Sequence, residues 1–104
     1  MRNEKFGGTL PPALTVVANT PVTLLRTATI VKRKGISRSG HYGEIAAGLF
    51  VRPIAIGKRA TATPAYEVDA LIAARIAGKS DDEIRLLVRK LEADRSTAFA
   101  VWGS

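Results

Sequence analysis

The chain has 104 residues, 46% of them hydrophobic, with a net charge of +7 and no cysteine. That is room for one small packed domain with some tail, and it excludes a disulfide scaffold, a thiolate metal site and wholesale disorder. No apolar run approaches the roughly 20 residues of a membrane span, and no basic start followed by an apolar run suggests a secretory leader; the expectation is a cytoplasmic protein without a membrane partner.

Residues 1–22 read as an irregular N-terminal tail. Gly7-Gly8, Pro11-Pro12 and Asn19-Thr20-Pro21 interrupt any helical period, and Leu14, Val16 and Val17 offer at most a short strand. A first helix is expected from Ala28 to Lys34, with Thr27 as N-cap and Gly35 as the stop. Ser37 then reads as the N-cap of a second helix, Arg38 to Ala47, closed by Gly48. Gly40 and Gly43 lie inside it, where each costs about 0.5–1 kcal/mol relative to Ala. Either neighbours hold this helix or something approaches its backbone closely.

After Gly48 the pattern turns to strand formers. Leu49 to Ile56 and Ala60 to Thr63, joined by Gly57-Lys58-Arg59, predict a β-hairpin with two cations at its tip. Pro53 confines its strand to an edge or makes it the strand's start. Pro64 suits the first turn of a third helix through Ile76, stopped at Gly78. Ser80-Asp81-Asp82-Glu83 has the form of a capping box and opens a fourth helix to about Asp94. Its stripe of Ile84, Leu87, Val88 and Leu91 serves either the domain's own core or a seam with another copy, and the reading favours self-association. Residues 96–104 are expected to form a loose tail.

The charge is focused. Between Arg26 and Arg59 stand eight Lys or Arg against the single acid Glu44, while the rest of the chain balances to zero. A basic block on a folded segment is what a polyphosphate partner selects, because each neutralised phosphate releases counterions. The predicted order of helix, tight turn, helix, hairpin and helix is that of a winged helix-turn-helix with an added C-terminal helix. The fold class is mainly α with a short β-hairpin: a DNA-binding domain over 23–78, an amphipathic helix over 79–95 and the tail.

In that arrangement the second helix enters the major groove of duplex DNA and the hairpin tip reaches phosphates. The candidate DNA-binding residues are Lys32, Arg33, Lys34, Ser37, Arg38, Ser39, Tyr42, Lys58 and Arg59. Arg38 and Ser39 sit where a base edge is reachable, and Arg is the commonest reader of guanine. The lone His41 reads as a packed or half-exposed helix residue. No catalytic constellation is visible: there is one His, no Cys and no glycine-rich phosphate loop with its Lys, so no enzyme, cofactor or metal is called for.

Gly35-Ile36-Ser37-Arg38-Ser39, Tyr42, Ile45-Ala46-Ala47-Gly48 and Phe50-Val51-Arg52-Pro53 together resemble the AlpA family of phage-type regulators. These are grouped with the excisionases and MerR-like winged helix-turn-helix proteins. The likeness extends through Ile54 to Arg59 and Glu67 to Ile72, covering Leu24 to Ala77. It implies a small mobile-element protein acting as a transcriptional regulator or as a factor directing excision by a recombinase. A nucleoid-associated location and binding in adjacent copies go with that role. The family has a larger residue at Gly40, Leu at His41, often a basic residue at Gly43, and commonly a Trp at Thr63. Those departures on the second helix leave the target sequence open. The competing classes are a basic RNA-binding protein, disfavoured by the lack of interleaved aromatics for stacking, and a protein-interaction adaptor using the fourth helix.

Overall fold

The computed structural model describes residues 22–102. The tail expected over 1–21, with its strand at Leu14, Val16 and Val17, lies outside the described residues. Among those described, the chain is mainly helical with a small antiparallel sheet: β1 (Leu24–Leu25), α1 (Thr27–Lys34), α2 (Arg38–Ala46), β2 (Ile54–Ala55), β3 (Thr61–Pro64), α3 (Ala65–Ile76), α4 (Asp81–Ala93) and α5 (Arg95–Trp102). None of these helices is long and apolar enough to cross a membrane.

The first two helices are set by their termini. α1 starts one residue before expectation: Arg26, in extended backbone, is the N-cap, and its carbonyl accepts from the Thr29 and Ile30 amides. Thr27 is therefore the first helical residue and not the cap. Gly35 ends α1 at φ 73°, a left-handed conformation costly for any residue with a Cβ, and its amide bonds the Val31 carbonyl. Ser37 caps α2 as expected, its hydroxyl accepting from the Gly40 amide at 3.0 Å.

β2 and β3 pair with Ile54 opposite Ala62 and Ala55 opposite Thr61, and the Ile56 amide closes the turn on the Ala60 carbonyl at 2.9 Å. The sheet has a third member that the sequence reading did not expect, in the run before the first helix. β1 lies on the other side of β3, Leu24 opposite Pro64 and Leu25 opposite Thr63, giving the order β1-β3-β2. Thr23 extends this contact by accepting from the Ala65 amide. Two residues carry too little alternation to announce a strand; its partner, far along the chain, defines it.

α3 follows directly from Pro64 and stops before Gly78. In α4 the capping box is complete: the Ser80 hydroxyl accepts from the Glu83 amide, and the Glu83 carboxylate accepts from the Ser80 amide. One core joins these elements, with Ile30, Phe50, Val51, Val68, Leu71, Ile84, Val88 and Leu91 buried together.

This corrects two expectations. Ile84, Val88 and Leu91 face the domain's own core and Leu87 packs against it, so the stripe is not a free seam for a second copy. Phe50 and Val51 belong to the same buried cluster as Ile84, Val88 and Leu91 of α4. Burying side chains of this size contributes about 1.5–3 kcal/mol each. The loose tail expected from 96 onward is also replaced, by α5. Its first residue is anchored: the Arg95 guanidinium makes a two-pronged bond to the fully buried Glu67 carboxylate, at 2.9 and 2.7 Å, and donates to the Arg52 carbonyl at 2.8 Å.

Candidate nucleic-acid interface

α2 is inward on one side and open on the other. His41 is buried and Glu44 and Ile45 are half-buried, whereas Arg38, Ser39, Tyr42, Gly43 and Ala46 are exposed. Spacings of three and four residues place the exposed set on one stripe. Arg38 has no hydrogen-bond or ion-pair partner among the described residues and stands in the first turn. Ser39 lies beside it, its hydroxyl 3.5 Å from that of Ser37. Tyr42 is 50% exposed, its ring tilted against His41 with its hydroxyl end left for another partner.

The two interior glycines have different physical roles. A Cβ at Gly40 would meet the Ser37 hydroxyl at 3.2 Å, so the small residue protects the helix cap. At Gly43 a Cβ would meet nothing within 4 Å. Nothing in the fold requires glycine there, yet it costs helix stability in the middle of the open stripe. Its effect is to leave the backbone bare to whatever approaches α2.

The inward side is built around Lys34. This residue, expected among the phosphate contacts, is turned into the molecule: its ammonium donates to Glu44 at 2.6 Å and to His41 Nδ1 at 2.9 Å, and lies 3.8 Å over the Phe50 ring. An aromatic face and two acceptors saturate it. Burial lowers the Lys34 pKa, with Glu44 opposing the shift. Burial also lowers the His41 pKa, and the neighbouring Lys34 charge adds to the effect. Both effects favour the neutral ring, and the Lys34 ammonium as donor makes Nδ1 the acceptor. Glu44 in turn receives Arg75, which also reaches Asp81, at 3.7 and 3.5 Å. This network fixes the turn between α1 and α2 against α3. His41 and Glu44, three residues apart, give a sequence signal that they share a face; the inward course of Lys34 leaves none.

The other expected cations divide. Arg33 is paired with Asp69 on α3. Ser37 is occupied as the cap. Lys32, Lys58 and Arg59 are exposed, with no ion-pair partner among the described residues, and the last two form the hairpin tip. The free set is therefore Lys32, Arg38, Ser39, Tyr42, Lys58 and Arg59. Comparison with protein-family models, with curated proteins and with solved structures gives no match.

Proposed function

We propose that this chain is a sequence-specific duplex-DNA-binding protein of the winged helix-turn-helix type, with α2 as the helix that enters the major groove and the β2–β3 tip as the wing. The observation that carries the reading is the open stripe of α2, with unpartnered Arg38 and exposed Ser39 at its N-terminal end and the bare backbone of Gly43 at its middle. A helix in the major groove presents its N-terminal residues to base edges, and a residue without a side chain lets the backbone come close. Unpaired Lys32, Lys58 and Arg59 supply phosphate contacts around it. The AlpA-like residues extend the reading to a regulator of transcription or of recombination direction in a mobile element, with a recombinase as partner in the second case.

The test is a binding titration at several salt concentrations, with duplex from around the protein's own gene and with unrelated duplex and RNA as competitors. Tight, salt-sensitive binding to one duplex region is the expected result. Arg38→Ala then weakens that complex by about 1–3 kcal/mol while leaving unrelated duplex less affected. Weak binding shared equally by duplex and RNA would overturn the reading.

A further inference from the structure

A second group of cations gathers at the other end of α2. Arg52, Arg85 and Arg89 line a cleft bounded by Ile45, Ala46 and Gly48, with Glu92 as the one acid among the lining residues. In sequence these arginines are unremarkable: Arg85 and Arg89 belong to a helix that begins with Asp81, Asp82 and Glu83, and local charge there nearly cancels. Folding brings these arginines together with Arg52 at one cleft. The three acids occupy the first turn of α4, and Arg85 and Arg89 follow on the side lining the cleft at the C-terminal end of α2.

Arg85 is the fixed member. Its Nε donates to the Ala47 carbonyl at 3.0 Å, which seats it on the C-terminal end of α2, and Nη1 bonds the exposed Asp82 at 3.2 Å. Its chain passes 3.8 Å from where a Cβ on Gly48 would stand. Arg89, one turn on and exposed, has no ion-pair partner among the described residues. Arg52 is held by its backbone: its amide donates to Glu92 at 2.8 Å, while its guanidinium stays 77% exposed at 3.6 Å from the same carboxylate. Glu92 thus fixes where Arg52 stands without enclosing its charge.

Scale identifies what these arginines meet. α2 has nine residues and is therefore about 14 Å long, and the major groove is about 12 Å wide. A helix of that length that enters the groove by its N-terminal end, with Arg38 at base edges, leaves its C-terminal end at a phosphate ridge. Ala46, on the open stripe, is itself part of the cleft wall.

We propose that Arg52, Arg85 and Arg89 form a second contact with backbone phosphates of the same duplex, at the C-terminal end of α2. The inference rests on the duplex-binding reading and adds a site to it. Guanidinium groups suit the role because their fork matches phosphate oxygens and is weakly hydrated. Phosphate contacts fix position and carry no sequence preference. This end of α2 therefore contributes affinity and orientation, and the Arg38 end contributes discrimination.

The experiment measures binding of a random-sequence 30-base-pair duplex against salt concentration, for the full chain and for an Arg52→Gln, Arg89→Gln double variant. Both side chains are exposed, and matched thermal melting checks the fold. The expected result is weaker binding to every duplex and a log–log salt slope reduced by about 0.9 for each phosphate contact removed. Arg52→Lys with Arg89→Lys should recover most of the slope. An unchanged slope, with Lys58→Gln and Arg59→Gln lowering it, would overturn the second contact and leave duplex binding standing. An equal loss on single-stranded RNA would also overturn it, because charge alone would then be acting without duplex geometry. A wild-type chain that binds no duplex would overturn both readings.

Discussion

At Gly43 stability and the proposed binding role pull in opposite directions. A Cβ there meets nothing in the fold, so Gly43→Ala should raise stability by about 0.5–1 kcal/mol through helix propensity and a less flexible unfolded chain. The same methyl stands on the stripe proposed to approach DNA, so duplex affinity should fall while the urea midpoint rises. A gain in both would remove Gly43 from the interface. His41 sets a pH dependence. Its pKa is lowered from the ordinary 6.5 first by burial, then by the charge of Lys34, with Arg38 acting in the same sense and Glu44 against. The folded state favours the neutral ring, while the unfolded chain takes up a proton as pH falls through about 6.5. Stability should therefore decline on acidification from pH 7.5 to 5.5, and His41→Leu should flatten that part of a urea-midpoint profile. A residue's identity was legible in the sequence at such places, but its direction was not. His41 reads as a packed or half-exposed helix residue and is packed, whereas Lys34, in a row with Lys32 and Arg33, looks like surface charge and is drawn in by Glu44, His41 and Phe50.

Among the elements, the helix ends were written locally. Ser37, Gly35, Gly78 and the Ser80–Glu83 box are recognisable because each cap involves groups within a few residues of one another. The role of the α4 stripe was not legible, since a helical period is the same for a core face and for a dimer seam. With Ile84 1% exposed in the single chain, Ile84→Ala should cost about 2–5 kcal/mol of unfolding free energy by denaturant titration. Sedimentation should show no accompanying change in assembly size. A shift in assembly size with the fold intact would restore the seam. β1 and α5 escaped the sequence reading for a related reason. β1 has two residues and exists through pairing to β3, and α5 is held at its start by Arg95 reaching Glu67.

For the molecule as a whole, the Arg95–Glu67 pair joins α5 to α3 and, through the Arg52 carbonyl, to the loop after α2. Burial raises the Glu67 pKa while Arg95 opposes the rise, so the carboxylate needs its partner to remain charged. Arg95→Met strands a carboxyl that is 0% exposed and should cost about 3–5 kcal/mol at neutral pH. The loss should shrink in an acid titration as Glu67 becomes protonated. An equal loss at every pH would mean that packing of the arginine stem, not its charge, holds α5.

What stood in the primary structure was the focus of charge, the helix caps and stops, the hairpin turn and the apolar stripes, because these depend on neighbours a few residues apart. What waited on folding was which cations remain free, which stripe is core and where a second basic cleft lies. Those outcomes depend on contacts such as Arg85 to Ala47 and Arg95 to Arg52, 38 and 43 residues apart. Burial and charge pairing are properties of the assembled neighbourhood, and a linear count of signs, which balanced the chain outside Arg26–Arg59 to zero, averages over the arrangement that packing creates.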